Sequence, residues 1–133
     1  MARSKTPRPT ELELEILKVL WRDGPLAVRE VRKALAAGKA RRRLAHTSVI
    51  TMLNIMADKG FVSRTKQGKA FIFKPRVAEK QVSRGMLSDI VNRVFDGSSA
   101  AVMVQLLETA SIDADEIEQL RKLINRKAKE QQE

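Results

Sequence analysis

Apolar residues Leu12, Ile16, Leu17 and Leu20 recur at three- and four-residue intervals, the spacing that puts them on one face of a helix. Thr10 with Glu13 three residues later supplies a capping box, and Gly24-Pro25 supplies the stop. Trp21, in the last turn, reads as an aromatic anchor to the core. The stretch VREVRKALAA then places Val28, Val31 and Leu35 on one face, with Arg29, Arg32 and Lys33 off it, and closes at Gly38. This second helix has Ala27 where a capping hydroxyl is favoured, a difference of about 1 kcal/mol. In the third, capped by Thr47 or Ser48 and stopped by Gly60, Val49, Leu53 and Met56 lie at i, i+4 and i+7.

The period changes after Gly60. FVSRT and KAFIFKP alternate like strands, Phe71 and Phe73 share a face, and KQGK turns between them with Gly68 where a positive φ is needed. Helical spacing returns over residues 77 to 95 with Val82, Met86, Leu87, Ile90, Val91, Val94 and Phe95. Gly97 breaks it, Ser98 or Ser99 caps the next helix, and AAVMVQLL is apolar nearly all round, which calls for burial on several sides. Asp113 with Glu116 opens a last helix, with Ile112 and Ile117 in staple positions and a stripe of Ile117, Leu120, Leu123 and Ile124. The expected fold class is mainly α with a small β-hairpin: a flexible basic arm over residues 1–9, a winged helix-turn-helix domain over 10–76, and a helical dimerisation region over 77–133.

Charge divides the chain along the same line. Against 26 Lys+Arg and 16 Asp+Glu in all, net +10, residues 1 to 76 carry 18 basic and 6 acidic side chains, so the anionic partner belongs to that half. On the third helix Thr47, Thr51, Asn54 and Asp58, flanked by Ser48 and Ile55, fall opposite the apolar stripe. Small hydroxyls and an amide let a helix lie close to base edges and phosphates, whereas a merely solvated face in so charged a chain would more often show Lys and Glu. Arg64, Lys66 and Lys69 make the hairpin basic, suited to a phosphate backbone, and Arg42 and Arg43 belong to the basic loop GKARRRL before the third helix. His46, just ahead of that helix, reads equally as a phosphate or base neighbour and as a structural residue. The expected DNA-binding set is therefore Arg42, Arg43, His46, Thr47, Ser48, Thr51, Asn54, Arg64, Lys66 and Lys69. In the arm, Arg3, Lys5 and Arg8 could brush phosphates, but a solvated tail is the simpler reading.

Chemistry has little to stand on. There is no Cys, no Tyr and a single His, and no glycine pattern for a nucleotide, so no enzyme activity, metal or cofactor is expected. The longest apolar run, Ala100 to Val104, is too short to span a bilayer, and MARSKTPRP has no signal-peptide core, so a cytoplasmic protein without membrane insertion is expected. Two other readings remain open: an RNA-associated protein, which would more often display aromatics for stacking, and a winged-helix protein-interaction adaptor, which has no need of so basic a half.

The ordered blocks TELELEILKVLW, VREVRKAL, LAHTSVITMLNIMADKGFVSR, GKAFIFKP and DEIEQLRKLI resemble the penicillinase-repressor family of bacterial transcription repressors, the group of BlaI, MecI and CopY, from about Thr10 to Ile124. The resemblance implies a homodimer on double-stranded, dyad-symmetric operator DNA that represses β-lactam-resistance or related genes. Copper-responsive members carry a C-terminal cysteine motif, which this chain lacks, and Ala27 stands where members commonly have a hydroxyl. The stripes after residue 77 need a partner, and a second copy is the economical one, with Met86, Ile90, Val94, Val102, Leu106, Leu120, Leu123 and Ile124 as the expected dimerisation residues. In resistance-regulator members a membrane β-lactam sensor leads to cleavage of the C-terminal arm at an Asn-Phe bond. The matching position here is Gln105-Leu106, a departure that makes plain core packing the preferred reading of that pair.

Overall fold

The computed structural model describes residues 8–132. Its order is α1 (Glu11–Asp23), β1 (Leu26–Ala27), α2 (Val28–Ala37), α3 (His46–Asp58), β2 (Val62–Gln67), β3 (Ala70–Pro75), α4 (Glu79–Val94), α5 (Ser99–Thr109) and α6 (Ala114–Gln132). Three helices followed by an antiparallel hairpin make a winged helix-turn-helix. The sheet gains a third strand that the sequence pattern does not show, since β1 pairs with β3 through Leu26 opposite Phe73 and gives the order β1-β3-β2.

Side chains cap the start of α1 fully and that of α2 in part. Thr10 Oγ1 accepts from the Glu13 N–H at 3.3 Å, and Glu13 Oε1 accepts from the Thr10 N–H at 2.8 Å. Ala27 offers no such acceptor, but Glu30 Oε1 accepts from the Ala27 N–H at 3.0 Å and recovers half of a capping box. The expected cap of α3 is displaced: the helix begins at His46 with Ala45 at its N-cap, so Thr47 and Ser48 lie in the first turn with their hydroxyls exposed. The hairpin is also longer than expected, with β2 running to Gln67 and a two-residue turn of Gly68 (φ +63) and Lys69. A glycine in the left-handed region at the first turn position suits the twist of a two-residue hairpin.

The apolar stripes meet in one core of Ile16, Leu17 and Leu20 from α1, Val31 and Leu35 from α2, Val49, Leu53 and Met56 from α3, and Phe61, Val62 and Phe73 around the sheet. Trp21 anchors the far end, its indole N–H donating to the Val77 carbonyl at 2.9 Å. Val82 and Gly85 of α4 are buried, and the first compact unit of the chain extends to Asp89. Of the expected basic arm, residues 1–7 lie outside the described residues, while Arg8 pairs with Asp89 at 3.2 Å and Pro9 is buried.

A second unit begins at Ile90. Asp96 (φ +50) and Gly97 (φ +84) break the chain after α4, Ser98 Oγ accepts from the Ala101 N–H at 3.1 Å, and Asp113 and Glu116 cap α6 reciprocally. Neither α5 nor α6 has a buried residue. The expectation that α5 is buried on several sides is therefore not met within one chain: Met103, Val104, Leu106 and Leu107 are all more than half exposed. Its apolarity is real, but the cover is not supplied by the chain's own helices.

Candidate nucleic-acid interface

α3 is clamped to the body by its two faces and left bare on the third. Its apolar stripe is in the core, and at its C-terminal end Lys59 Nζ donates to Glu13 Oε2 at 2.8 Å and lies 5.8 Å from the Phe61 ring centroid. Glu13 is 1% exposed. Burial alone would raise the Glu13 pKa, but hydrogen bonds from Lys59 and from the Thr10 backbone, with the Lys59 charge, outweigh it and hold the carboxyl below its ordinary value. On the free side His46, Thr47, Ser48, Thr51 and Asp58 are exposed and Asn54 is half-buried. Ile55, 41% exposed, adds an apolar group to this otherwise polar surface.

The hairpin adds basic side chains beside this polar surface. Lys66 and Lys69 are exposed, Lys69 in the turn itself. Arg64 differs from them. It sits opposite Phe73, its guanidinium carbon is 5.2 Å from the Phe71 centroid, and Nη1 donates to Asn54 Oδ1 at 2.6 Å, tying the wing to the outer face of α3. Phe71 shares the strand face of Phe73 as the alternation requires, but toward the tip the core has ended, so Phe73 is fully buried and Phe71 is 40% exposed.

The loop arginines also part company. Arg42 Nε donates to both carboxylate oxygens of Glu15, at 3.0 and 2.9 Å, and Nη2 stands 3.6 Å from Glu11. The hydrogen bond to Glu15, then the charges of Glu15 and Glu11, raise the Arg42 pKa further above its ordinary value, so this side chain pins the loop to α1. Arg43 instead lines an open groove of about 560 Å³ with Arg29, Arg32, Lys33, Ala36, Leu44 and Ala45. Arg32 Nε donates to the Leu44 carbonyl at 2.7 Å and braces that groove directly ahead of α3. Four cations and no acid line it, with aliphatic stems and Ala36, Leu44 and Ala45 beneath the charged ends, a composition suited to an anion such as phosphate. Arg29, Arg32 and Lys33 were legible only as the polar side of α2; the missing signal is the loop that folds Arg43 against them.

Among the described residues no group of three or more His, Cys, Asp or Glu could hold a metal ion, and no helix is long and apolar enough to cross a membrane.

Residues 9–126 match the protein family described as penicillinase repressor. The chain belongs to this family. It is thus a DNA-binding transcriptional repressor and not an enzyme. Similar relatives include the transcriptional regulator BlaI of Mycobacterium tuberculosis, 32% identical over 123 residues covering 91% of this chain and 86% of that protein. The penicillinase repressor of Bacillus licheniformis is 25% identical over 120 residues, 90% of this chain and 91% of the relative. Among solved structures, the complex structure of hsRosR-S4 has a TM-score of 0.50 at 16% identity over 90% of each chain, a likeness of fold.

Proposed function

We propose that this penicillinase-repressor family member acts in the cytoplasm as a homodimer on dyad-symmetric operator DNA, controlling β-lactam-resistance or related genes. The observation that carries the reading is the contrast on α3 between a core-locked stripe and a bare face of small polar side chains, bounded on either side by cations. In this reading α3 lies in the major groove, where His46, Thr47, Ser48, Thr51 and Asn54 approach bases or phosphates and Ile55 can meet a thymine methyl. Lys66 and Lys69 hold the backbone on one side and the groove of Arg29, Arg32, Lys33 and Arg43 holds it on the other. Arg42, occupied by Glu15, supports the loop and contributes no direct phosphate contact.

The second copy is called for by Ile90, Val94, Leu106, Leu120, Leu123 and Ile124, which are between 40% and 67% exposed. Met86 and Val102, half-buried already, extend the same stripes. With two winged domains in one dimer, each half of a dyad site is read by the same residues. Relief of repression through a β-lactam sensor pathway would act at Gln105-Leu106 within α5. That bond is inside a hydrogen-bonded helix, with Thr109 Oγ1 donating to the Gln105 carbonyl at 2.7 Å, so cleavage requires α5 to open locally first.

The division of labour is measurable by titrating DNA binding against salt. Lys66→Ala, Lys69→Ala and Lys33→Ala should each weaken specific and non-specific duplexes alike and reduce the salt slope by roughly 0.9. Arg42→Ala should leave the slope unchanged, and Thr51→Ala should change sequence preference at nearly constant slope. A slope unmoved by all three lysine substitutions would remove both phosphate assignments.

A further inference from the structure

We infer that Arg64 is a positioning residue that commits Asn54 to donating, so that Asn54 selects a G·C pair, through the two adjacent acceptors of guanine, over an A·T pair. The inference rests on the proposed placement of α3 in the major groove. A free asparagine amide reads adenine best, because its oxygen accepts from N6–H₂ while its nitrogen donates to N7. Here the oxygen is taken. Arg64 Nη1 donates to Asn54 Oδ1 at 2.6 Å, a charge-assisted bond, and the amide group left to meet a base is Nδ2 with its two hydrogens. Any second donor at that oxygen, such as adenine N6–H₂, must come in beside a guanidinium that consists entirely of donors. Guanine presents two adjacent groups that only accept, O6 and N7, whereas every A·T pair puts the adenine N6–H₂ donor between its acceptors N7 and O4.

The pair is held from the wing side. The Arg64 guanidinium carbon lies 5.2 Å from the Phe71 centroid, and Phe71 is directly opposite Lys66 in the hairpin register. Half-exposed Phe71 is otherwise an unexplained aromatic at the surface, and stacking under Arg64 gives it a task. The phosphate-binding lysine and the base-reading amide are thereby joined through two side chains, so the wing affects which base is chosen as well as how tightly DNA is held.

The experiment is selection from a randomised duplex pool with the full-length protein and three variants, Asn54→Ala, Arg64→Met and Phe71→Leu, each checked for a cooperative melt. Asn54→Ala locates the base pair, as the position in each half-site whose preference flattens. At that position the unaltered protein should favour a G·C pair in one orientation over A·T and T·A by about tenfold. Arg64→Met frees the amide oxygen and should move the preference from G·C toward an A·T pair by a similar factor, with neighbouring positions unchanged; Phe71→Leu should shift it the same way but less. An unaltered protein that prefers A·T or T·A there overturns the inference, as does an Arg64→Met protein that weakens every sequence equally. If Arg64→Met does not fold, Phe71→Leu decides alone: an unchanged preference overturns the inference. Selection of a clear motif with no effect of Arg64 would defeat the relay alone. Selection of no motif by the unaltered protein would defeat the underlying DNA reading with it.

Discussion

Leu123→Asp combined with Ile124→Asp is expected to yield a folded monomer that binds a two-half-site operator about 10²- to 10⁴-fold more weakly than the unaltered protein. The two side chains are 50% and 58% exposed, so a lone chain loses no core when they become acidic. In a dimer they would be buried, and two carboxylates per chain without partners in an apolar interface would oppose association strongly. The winged domain has its own complete core and should melt as before. Once the dimer is lost, each half-site is bound separately, and the gain from tethering the second winged domain near its half-site disappears. Binding to an isolated half-site should therefore be little changed. Sedimentation at micromolar concentration checks the first step and operator titration the second. A variant still dimeric, or a monomer with undiminished operator affinity, would show that these stripes do not build the repressor.

Lys59→Met should lower the stability of the winged domain by about 2 kcal/mol. A fully buried pair loses more when one partner is removed, but Lys59 is 44% exposed at the side chain and solvent screens its end. For a domain of this size the midpoint of thermal unfolding should fall by roughly 10 °C. The pH dependence has a definite sign. Because the folded state holds Glu13 below its ordinary 4.5, the ion pair's contribution is fully present above that value and is lost as the pH falls through the folded pKa. The unaltered protein should lose stability on acidification through this window, and Lys59→Met should flatten that part of the profile. Thermal melts from pH 7 down to about 3 compare the two. Parallel profiles would mean that the pair does not fasten α3 to α1.

Local periodicity and capping residues made most elements legible. The capping box of Thr10 and Glu13, the stop at Gly24 and the turn at Gly68 are decided within four residues of themselves, and the sequence displays them directly. β1 is two residues long and has no period to detect; it exists because Phe73 is there to pair with. The start of α3 also differs: Thr47 and Ser48 are good caps locally, but the helix starts earlier at His46, so those residues remain on the outer face. In the candidate site the surface lysines of the wing followed from composition and alternation alone. What was not legible depends on distant partners. Glu15, 27 residues away, holds Arg42 against α1, and Glu13 reaches Lys59 across 46. Asn54 and Arg64 are only ten apart, but a helix, a turn and a strand intervene, and only the folded chain brings the amide to the guanidinium.

Whether a dimeric repressor reads duplex DNA through α3 and the wing is decided by selecting fragments of the source genome with the purified full-length protein at fixed salt, with structured RNA as competitor. The expected result is a shared inverted repeat whose half-site centres are about 10 bp or a multiple apart, lying before genes for β-lactam resistance or related functions, with RNA failing to displace it. Fragments without a common two-fold motif, or displacement by RNA as readily as by duplex, would contradict it.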